Sequence, residues 1–431
     1  MFPKCQPVNC QLVNYQPANE STDEMNEPQP RLNGHLPTLF ACFLQFDLSF
    51  MLWVMMGALG IAIAESLRLT QSQKGLLVAI PILSGSLLRV PLGLLADRIG
   101  GKRTGSLILG FLFLPLLLGW LGGGSLPTLY GTGVMLGVAG ASFAVALPLA
   151  SRWYPPERQG LAMGIAAAGN SGTIITNLLA PRLALMFGWR NVFALAMIPL
   201  ALVLVAFLLL AKESPNPTKN QPLTRYFGML RETDLWGFCL LYSVTFGGYV
   251  GLSSYLPLFF RDQYHVNPVT AGTLTALAAF VGSGLRPVGG YLADKLGGVR
   301  MLSALLIGIC ATWFYCSRLP ELSLMMVGLT FGMACLGMGN GAIFQLVPQR
   351  FRNEIGLATG IIGAIGGIGG FLLPALLGTF KQRFDTYSSG FIALSVVALT
   401  AIIILRLLVA VQDGWRLSWR LAQPAEVLDE G

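Results

Sequence analysis

The chain has 431 residues, of which 54% are hydrophobic and only 11% are charged, and its mean hydropathy is +0.65. A soluble domain carries about twice that charged fraction, so the composition indicates a polytopic membrane protein. The net charge of +8 does not favour nucleic-acid binding, because the basic residues are spread over short loops and form no basic arm.

The first 37 residues are polar and rich in Pro, Asn, Gln and Glu, which predicts a disordered cytoplasmic tail (1–37) without a signal peptide. The seven cysteines have no disulfide-like spacing, and both histidines, His35 and His265, lie outside the apolar segments. The sequence therefore predicts no metal site and no cofactor, and we expect no enzymatic activity.

A membrane-spanning helix needs about 20 apolar residues, and twelve such segments follow in chain order. The first six lie at about 38–64, 75–96, 105–123, 126–151, 159–187 and 190–212, and the last six at about 235–260, 269–293, 299–318, 321–349, 354–380 and 389–411. We therefore predict an all-α membrane protein with two pseudo-symmetric six-helix bundles, 38–212 and 235–412. A polar cytoplasmic linker, 213–234, joins the bundles, and 413–431 forms a second cytoplasmic tail.

The distribution of Lys and Arg predicts the orientation. Seventeen of them fall on the side of the membrane that holds both termini, and eight on the other side. Because cytoplasmic loops are enriched in Lys and Arg, we expect both termini to be cytoplasmic and the protein to reside in a plasma or inner membrane.

The two bundles repeat each other in sequence. SLLRVPLGLLADRIGGKR, from Ser86, aligns without gaps with SGLRPVGGYLADKLGGVR, from Ser283, at an offset of 197 residues and with ten of eighteen positions identical. Arg89 and Arg286 occupy the same column of this alignment. Two related six-helix halves are typical of a rocking transporter whose site lies between them.

The same motif carries a family resemblance. GLLADRIGGKR, from Gly93 to Arg103, closely resembles the loop signature of the major facilitator superfamily. Over Pro37–Val411 the chain resembles, within that superfamily, the nitrate/nitrite porter family, which implies the fold just described. The likeness rests on the arginines of helices 2 and 8 (Arg89, Arg286), the glycine-rich stretches AAAGNSG with Asn170 and GAIGGIGGFLLP from Gly363, and the aromatic residues Phe143, Tyr242 and Phe246.

The buried arginines are the strongest functional signal. A charge at the bilayer centre costs at least about 2.5–3.5 kcal/mol, and Arg89 lies about 12 Å into the membrane. Either each arginine pairs with a neighbouring acid for structural reasons, or both bind an anion. The middles of helices 2, 4, 5, 7, 8, 10 and 11 contain no Asp or Glu, and Asp47 is expected near the cytoplasmic end of helix 1. The sequence therefore favours an anion.

The shape of guanidinium suggests which anion. Two guanidinium groups, one from each half, present their N–H donors in a plane and can hold a small, flat oxyanion such as nitrate. Phosphate-ester exchangers also use paired arginines, but usually with Lys or His nearby, and no membrane segment here contains either. The residues alone predict a small anion, and the resemblance implies nitrate or nitrite.

Five further side chains are candidates that packing alone could also explain. Asn170 suits an interhelical hydrogen bond as well as an anion contact, and the resemblance favours the anion. Asn340, the column partner of Phe143, is a weaker candidate. Phe143, Tyr242 and Phe246 would be core residues in most helices, but the resemblance assigns them to the walls of the anion site.

Charged residues at the loop ends repeat as Asp followed by bases. They predict interhelical ion pairs that hold one conformation and break in the other. The members of this set are Asp97, Arg98, Lys102, Arg103, Asp294, Lys295 and Arg300.

These observations favour a secondary carrier of nitrate and nitrite that works by alternating access. The stretch YSVTFGGYVGLSSYLP, from Tyr242, resembles the proton-coupled branch of the family, so nitrate/proton symport is preferred to nitrate/nitrite antiport. A carrier of another anion or of hydrophobic drugs, and a non-transporting nutrient sensor, stay as alternatives. The expected partners are the anion, the lipid bilayer and, for symport, protons, but no nucleic acid.

Overall fold

The computed structural model describes residues 34–154, 162, 165–215, 228–351, 355–411 and 415. Residues 1–33 of the expected tail, 1–37, therefore lie outside the described residues. The middle of the linker and the second tail, apart from Trp415, also lie outside them. Every regular element in the described part of the chain is helical, so the predicted fold class is confirmed.

The N-terminal half contains nine described α-helices and one short 3₁₀ turn. They are α1 (Leu36–Ala58), α2 (Gly60–Leu67), α3 (Gln71–Ile99), α4 (Gly101–Phe111), α5 (Phe113–Gly122), α6 (Leu126–Gly140), α7 (Phe143–Ser151), the 3₁₀ turn Ala168–Ser171, α8 (Gly172–Phe187) and α9 (Trp189–Leu210). Several of these are consecutive pieces of one membrane span.

The C-terminal half contains seven described helices. They are α10 (Thr233–Tyr264), α11 (Pro268–Gly284), α12 (Arg286–Leu296), α13 (Gly298–Cys316), α14 (Leu322–Arg350), α15 (Ile355–Phe384) and α16 (Ser388–Val411). Eleven spans in the described residues of the two halves are long and apolar enough to cross a membrane. The fifth predicted segment, 159–187, falls partly on residues outside the description.

The sequence repeat extends into the backbone. Thr70 and Asn267, 197 residues apart, both cap a helix N-terminus with their side chains. Gly100 and Gly297, at the same offset, both adopt a positive φ, at 101° and 91°, where the chain turns from one span to the next. Only glycine takes this conformation without strain, so the halves share their turns as well as their motif.

The most extensive contacts between the halves lie along three pairs of elements. Helix α3 packs along α15, α8 packs against α11, and α1 packs against α10. The end of the molecule at which α1 begins and α3 ends is called here the tail face, and the end at which α2 and α10 finish is called the opposite face. The site predicted from the two arginines lies between these faces.

Four spans consist of two consecutive helices each: α1 with α2, α4 with α5, α6 with α7 and α11 with α12. In the fourth span α6 stops at Gly140 before α7 begins at Phe143, and in the eighth α11 stops at Gly284 before α12 begins at Arg286. One expectation about the first span was wrong. Asp47 does not lie near the helix end. Helix α1 begins at Leu36, so Asp47 lies eleven residues, or about 16 Å, along it.

Candidate functional site

Arg89 lies in the middle of α3 and is enclosed by both halves. Its side chain is buried, with only 1% of the residue exposed. Its Nε donates to the Gly140 carbonyl at 3.2 Å, and its Nη1 donates to the Gly363 carbonyl of α15. The remaining nitrogen, Nη2, is buried and has no hydrogen-bond partner in the described structure. The guanidinium therefore joins the two halves and keeps one donor group unused.

The acceptors of Arg89 exist because of local backbone features. In a continuous helix the Ala144 N–H would donate to Gly140, but at the break between α6 and α7 it donates to Ala141 instead. The Gly140 carbonyl is thereby freed for the guanidinium. At Gly363 a Cβ atom would come within 3.3 Å of Arg89 Nη1, so glycine gives the guanidinium close access to α15.

Aromatic faces surround the same guanidinium. The Arg89 Cζ lies 5.5 Å from the ring centre of Trp53, 5.4 Å from that of Phe143 and 5.0 Å from that of Phe246. Cation–π contacts stabilise a desolvated cation by about 2 kcal/mol or more each and leave its charge in place. Within the described residues, no carboxylate pairs with Arg89 or Arg286. The structural alternative, an arginine paired with an acid, thus has no partner in this part of the chain.

Arg286 is placed by the break in the eighth span. It is the first residue of α12, with Pro287 directly after it, and it is half-buried. Its Cζ lies 5.5 Å from the ring centre of Phe344. The column partners of the repeat therefore both face aromatic side chains near the junction of the halves.

The three predicted aromatic residues come together with a fourth. Tyr242 stacks on Phe246 with 4.9 Å between ring centres and 4° between planes, and it meets Phe344 edge-on at 5.1 Å. Phe143 lies 6.3 Å from Phe344 and so closes the wall from the N-terminal half. Low-dielectric walls of this kind strengthen the interaction of an arginine with an anion.

Sequence reasoning missed Phe344 and Trp53. Phe344 lies one helical turn after Asn340, so the residue spacing places both on one face of α14. Trp53 lies in a segment that is apolar throughout, where nothing distinguishes it from a packing residue. Its contact with Arg89 depends on how α1 packs against α3.

The two candidate amides are buried but do not touch the arginines. Asn170 and Asn340 are 4% and 2% exposed, and the Oδ1 atom of each has no hydrogen-bond partner in the described structure. Asn170 lies in the 3₁₀ turn Ala168–Ser171. Since no hydrogen bond joins either amide to Arg89 or Arg286 within the described residues, their role in anion binding stays a prediction.

The charged loop ends differ in their partners. Asp97 pairs with Arg152 at 2.9 Å, and Glu213 accepts from the backbone N–H groups of Lys102 and Arg103. All of these residues belong to the N-terminal half or directly follow it. The other members, at exposed helix ends, are Arg98, Asp294, Lys295 and Arg300. The Lys295 Nζ lies 4.5 Å from the ring centre of Tyr291.

Ion pairs between the halves lie instead at the opposite face. Lys74 of α3 pairs with Asp262 of α10 at 2.8 Å, and Glu65 pairs with Arg261 at 2.8 Å. Asp262 also accepts from the Tyr387 hydroxyl at 3.1 Å. These residues border a cavity of about 560 Å³ at that face. The structure thus joins the halves at the opposite face through contacts that the repeat motif did not indicate.

In the described residues, no group of three or more His, Cys, Asp or Glu side chains comes together in a metal-binding arrangement. The five cysteines in this part of the chain are free thiols.

Comparison with known proteins agrees with the architecture. Residues 41–374 match the model of the Major Facilitator Superfamily. A solved bacterial homolog of the human lysosomal transporter Spinster, in an inward-facing and occupied conformation, superposes with a TM-score of 0.64. It is 20% identical, and the match covers 89% of this chain and 96% of that one. At this identity the likeness supports the fold alone.

Relatives found by sequence are more similar to this chain than that solved structure is. A "Nitrite extrusion protein" of Bacillus subtilis is 35% identical over 356 residues, which cover 82% of this chain and 90% of the relative. A "Probable nitrate/nitrite antiporter NarK1" of Thermus thermophilus is 32% identical, with 79% and 84% covered. A "Probable nitrate transporter NarT" of Staphylococcus carnosus is 30% identical, with 82% and 91% covered.

Proposed function

The chain belongs to the major facilitator superfamily and, within it, to the nitrate/nitrite transporters, and from this premise we propose that it carries nitrate and nitrite across a cell membrane by alternating access. The names of its relatives refer to nitrite extrusion, nitrate transport and nitrate/nitrite antiport. Transport of this kind involves no covalent chemistry.

One observation supports the proposal most directly. The Arg89 guanidinium is buried between the halves with no carboxylate partner among the described residues, and its Nη2 donor is unused. An unpaired buried charge is strongly unfavourable, and an anionic ligand removes that penalty. A ligand bound at the junction of two moving halves is the arrangement that alternating access requires.

The geometry of the donors favours a planar anion. Guanidinium presents its N–H groups in one plane, which suits two oxygens of nitrate or nitrite at once. The flanking rings of Phe143, Phe246 and Phe344 leave apolar walls beside the guanidinium groups. A flat, singly charged anion fits between such walls better than a bulky, strongly hydrated dianion.

Net uptake needs a driving force. Moving one negative charge inward against 100 mV costs about 2.3 kcal/mol. Either a proton enters with nitrate or nitrite leaves in exchange, and the resemblance of the stretch from Tyr242 to the proton-coupled branch favours the proton. Orientation follows from the Lys and Arg distribution: we assign the tail face to the cytoplasm and the opposite face to the outside of a plasma or inner membrane.

Uptake by liposomes that contain the purified protein tests the proposal. Isotope-labelled nitrate should accumulate in protein-containing vesicles and should be displaced by nitrite, while sulfate and phosphate should compete at least about tenfold less well. Empty liposomes serve as the control. Transport of a different anion in preference to nitrate would support the rival anion carrier, and binding of nitrate without any transport would support a sensor.

A further inference from the structure

Asp47 is a carboxylate at the depth of the anion site. It lies about 16 Å along α1 from the tail face, and Arg89 lies about 15 Å from the tail-face end of α3. Every other Asp or Glu of the described spans lies within one or two turns of a helix end. A carboxylate is costly at this depth, so its presence calls for a functional explanation.

The 3₁₀ turn Ala168–Ser171 and the start of α8 hold this carboxylate directly. The Ser171 hydroxyl donates to Asp47 Oδ1 at 2.6 Å, and the Gly172 N–H faces the same group. A Cβ atom at Gly169 would lie 2.7 Å from the Asp47 backbone nitrogen, and one at Gly172 would overlap its carbonyl oxygen. The two backbones are therefore in direct contact, and the position of Asp47 is tied to that of the 3₁₀ turn.

The same turn carries Asn170. Asn170 and Ser171 are neighbours in Ala168–Ser171, and a 3₁₀ stretch within an α-helical segment often marks a functional hinge. A second route leads through aromatic rings. Phe46 lies 5.8 Å from Phe143, whose ring centre is 5.4 Å from Arg89 Cζ. Asp47 is thus connected to Asn170 through Ser171, and to Arg89 through Phe46 and Phe143.

No charged side chain competes for Asp47. It forms no ion pair within the described residues. On the helices packed against α1, charged groups other than Arg89 lie near helix ends: Glu65, Lys74, Asp97, Arg98, Lys102, Arg103, Arg152, Arg182, Arg190, Asp234, Arg261 and Asp262. The titratable groups of α10 away from its ends are Cys239 and the phenols Tyr242, Tyr249 and Tyr255.

We propose that Asp47 is the proton-binding group of the transport cycle, a step that rests on the proposed nitrate transport. With the anion bound, a proton from outside neutralises Asp47, and the loaded carrier turns inward. The proton and the anion then leave, and the empty carrier returns with Asp47 ionised. Ser171 can donate to the carboxylate or accept from the carboxylic acid, so the contact survives both states.

One carboxylate carries one proton, so one H⁺ enters with each NO₃⁻ and the cycle is electroneutral. One unit of pH difference, acid outside, then supports up to about tenfold accumulation of nitrate. An inside-negative potential set with valinomycin and potassium should not change the uptake rate. A clear acceleration by that potential would mean that a second proton enters, and it would contradict the single-carboxylate cycle.

Asp47→Asn separates proton coupling from anion binding. The amide is fixed in a neutral state and still accepts from Ser171, so the loaded carrier should exchange anions but the empty carrier should not return. In vesicles preloaded with nitrate, exchange with labelled external nitrate should stay within about threefold of the wild-type rate. In vesicles without internal anion, acid-driven uptake should fall at least tenfold. Glu321→Gln, an exposed carboxylate at the start of α14, is the matched control and should leave both activities unchanged.

The outcomes separate the two proposals. Acid-driven uptake by Asp47→Asn at the wild-type rate overturns the proton role, as does loss of both activities in a variant with normal nitrate affinity and melting temperature. Wild-type exchange without acid-driven uptake also overturns it and leaves nitrate transport intact. Absence of both activities in the wild type defeats the proposed function itself.

A second variant covers the case in which Asp47→Asn does not fold. Ser171→Ala removes the donor to the carboxylate and keeps the ionisable group. The pH at which uptake is half-maximal should move by at least half a unit, while exchange at fixed pH stays unchanged. An unaltered pH profile contradicts the proposal.

Discussion

Arg89 and Arg286 come from the same column of the repeat but have different environments. Arg89 is buried and donates to carbonyls of both halves, whereas Arg286 is half-buried and lies over the Phe344 ring. An anion that takes over the Nη1 donor of Arg89 would release the Gly363 carbonyl and with it a bond between the halves. Anion binding and separation of the halves would therefore both involve the Arg89 guanidinium.

The Asn170 side chain provides a test at the scale of one residue. Asn170→Ala should weaken nitrate affinity by about tenfold or more, because a hydrogen bond to a charged group contributes roughly 1.5–3 kcal/mol. Titration of the purified variant with nitrate measures the affinity, and its melting temperature reports on packing. A lower melting temperature together with unchanged affinity would assign Asn170 to helix packing instead.

At the scale of the helix, α15 depends on glycine for its close approach to the site. A Cβ atom at Gly366 would overlap the Tyr242 ring, and one at Gly367 would overlap the Ser86 side chain. The long contact between α3 and α15 and the position of Tyr242 both require this bare surface. The glycine-rich stretch thus serves as a packing surface that positions the site.

Gly366→Ala tests this dependence. Overpacking of this kind costs about 1–3 kcal/mol, so we expect a lower melting temperature and weaker nitrate binding, because Tyr242 must move away from Arg286. Gly360→Ala, where an added Cβ meets no atom within 4 Å, is the matched control. Equal behaviour of the two variants in thermal unfolding and in nitrate titration would refute the packing argument.

The breaks within the membrane spans could not be predicted from the sequence. Apolar length and the repeat at offset 197 were sufficient for the spans and for the pairing of Arg89 with Arg286, because both are local or periodic signals. The stops at Gly140 and Gly284 depend on packing against neighbouring helices, and glycine is common elsewhere in the same spans. The depth of Asp47 was misjudged because a position eleven residues along α1 was taken to lie near the start of the helix.

Contacts between distant parts of the chain were beyond sequence reasoning. The Arg89 guanidinium lies between the halves, the rings of Phe143 and Phe246 flank it, and Tyr242 stacks on Phe246. Lys74 and Asp262 are 188 residues apart, and nothing in their local sequences marks them as partners. Phe344 joins the aromatic wall only through the packing of α14 against α10.

For the whole molecule, the ion pairs at the opposite face hold the halves together on that side. Lys74 and Asp262 have side chains only 14% and 12% exposed, and the Tyr387 hydroxyl adds a second contact. The hydrogen bonds and rings around Arg89 join the halves more deeply. Opening toward the opposite face requires that this set of contacts breaks.

Asp262→Asn should therefore favour the conformation that is open at the opposite face. The ratio of open to closed molecules should rise at least about tenfold, or 1.4 kcal/mol, which is less than the 3–5 kcal/mol for breaking a fully buried pair. Distances between spin labels on exposed Ser66 and Arg383 measure the ratio.

Asp385→Asn is the control for this measurement. Its carboxylate is 99% exposed and pairs only with Lys381 within one helical turn, and exposed pairs contribute about 0–1 kcal/mol. The label distances should stay unchanged. If Asp262→Asn behaves in the same way, the ion pair does not hold the opposite face closed.

Nitrate titration of purified Arg89→Lys and Arg286→Lys tests the central claim, that the arginine pair binds the anion, most directly. Lysine keeps the positive charge but lacks the planar set of N–H donors, so it cannot bond two oxygens of the anion at once. With about 1.5–3 kcal/mol for each hydrogen bond to the anion, we expect either substitution to lower nitrate affinity at least about a hundredfold. Arg318→Lys, at an exposed helix end, should bind as the wild type does. Near-normal nitrate affinity in both Arg89→Lys and Arg286→Lys would contradict the account.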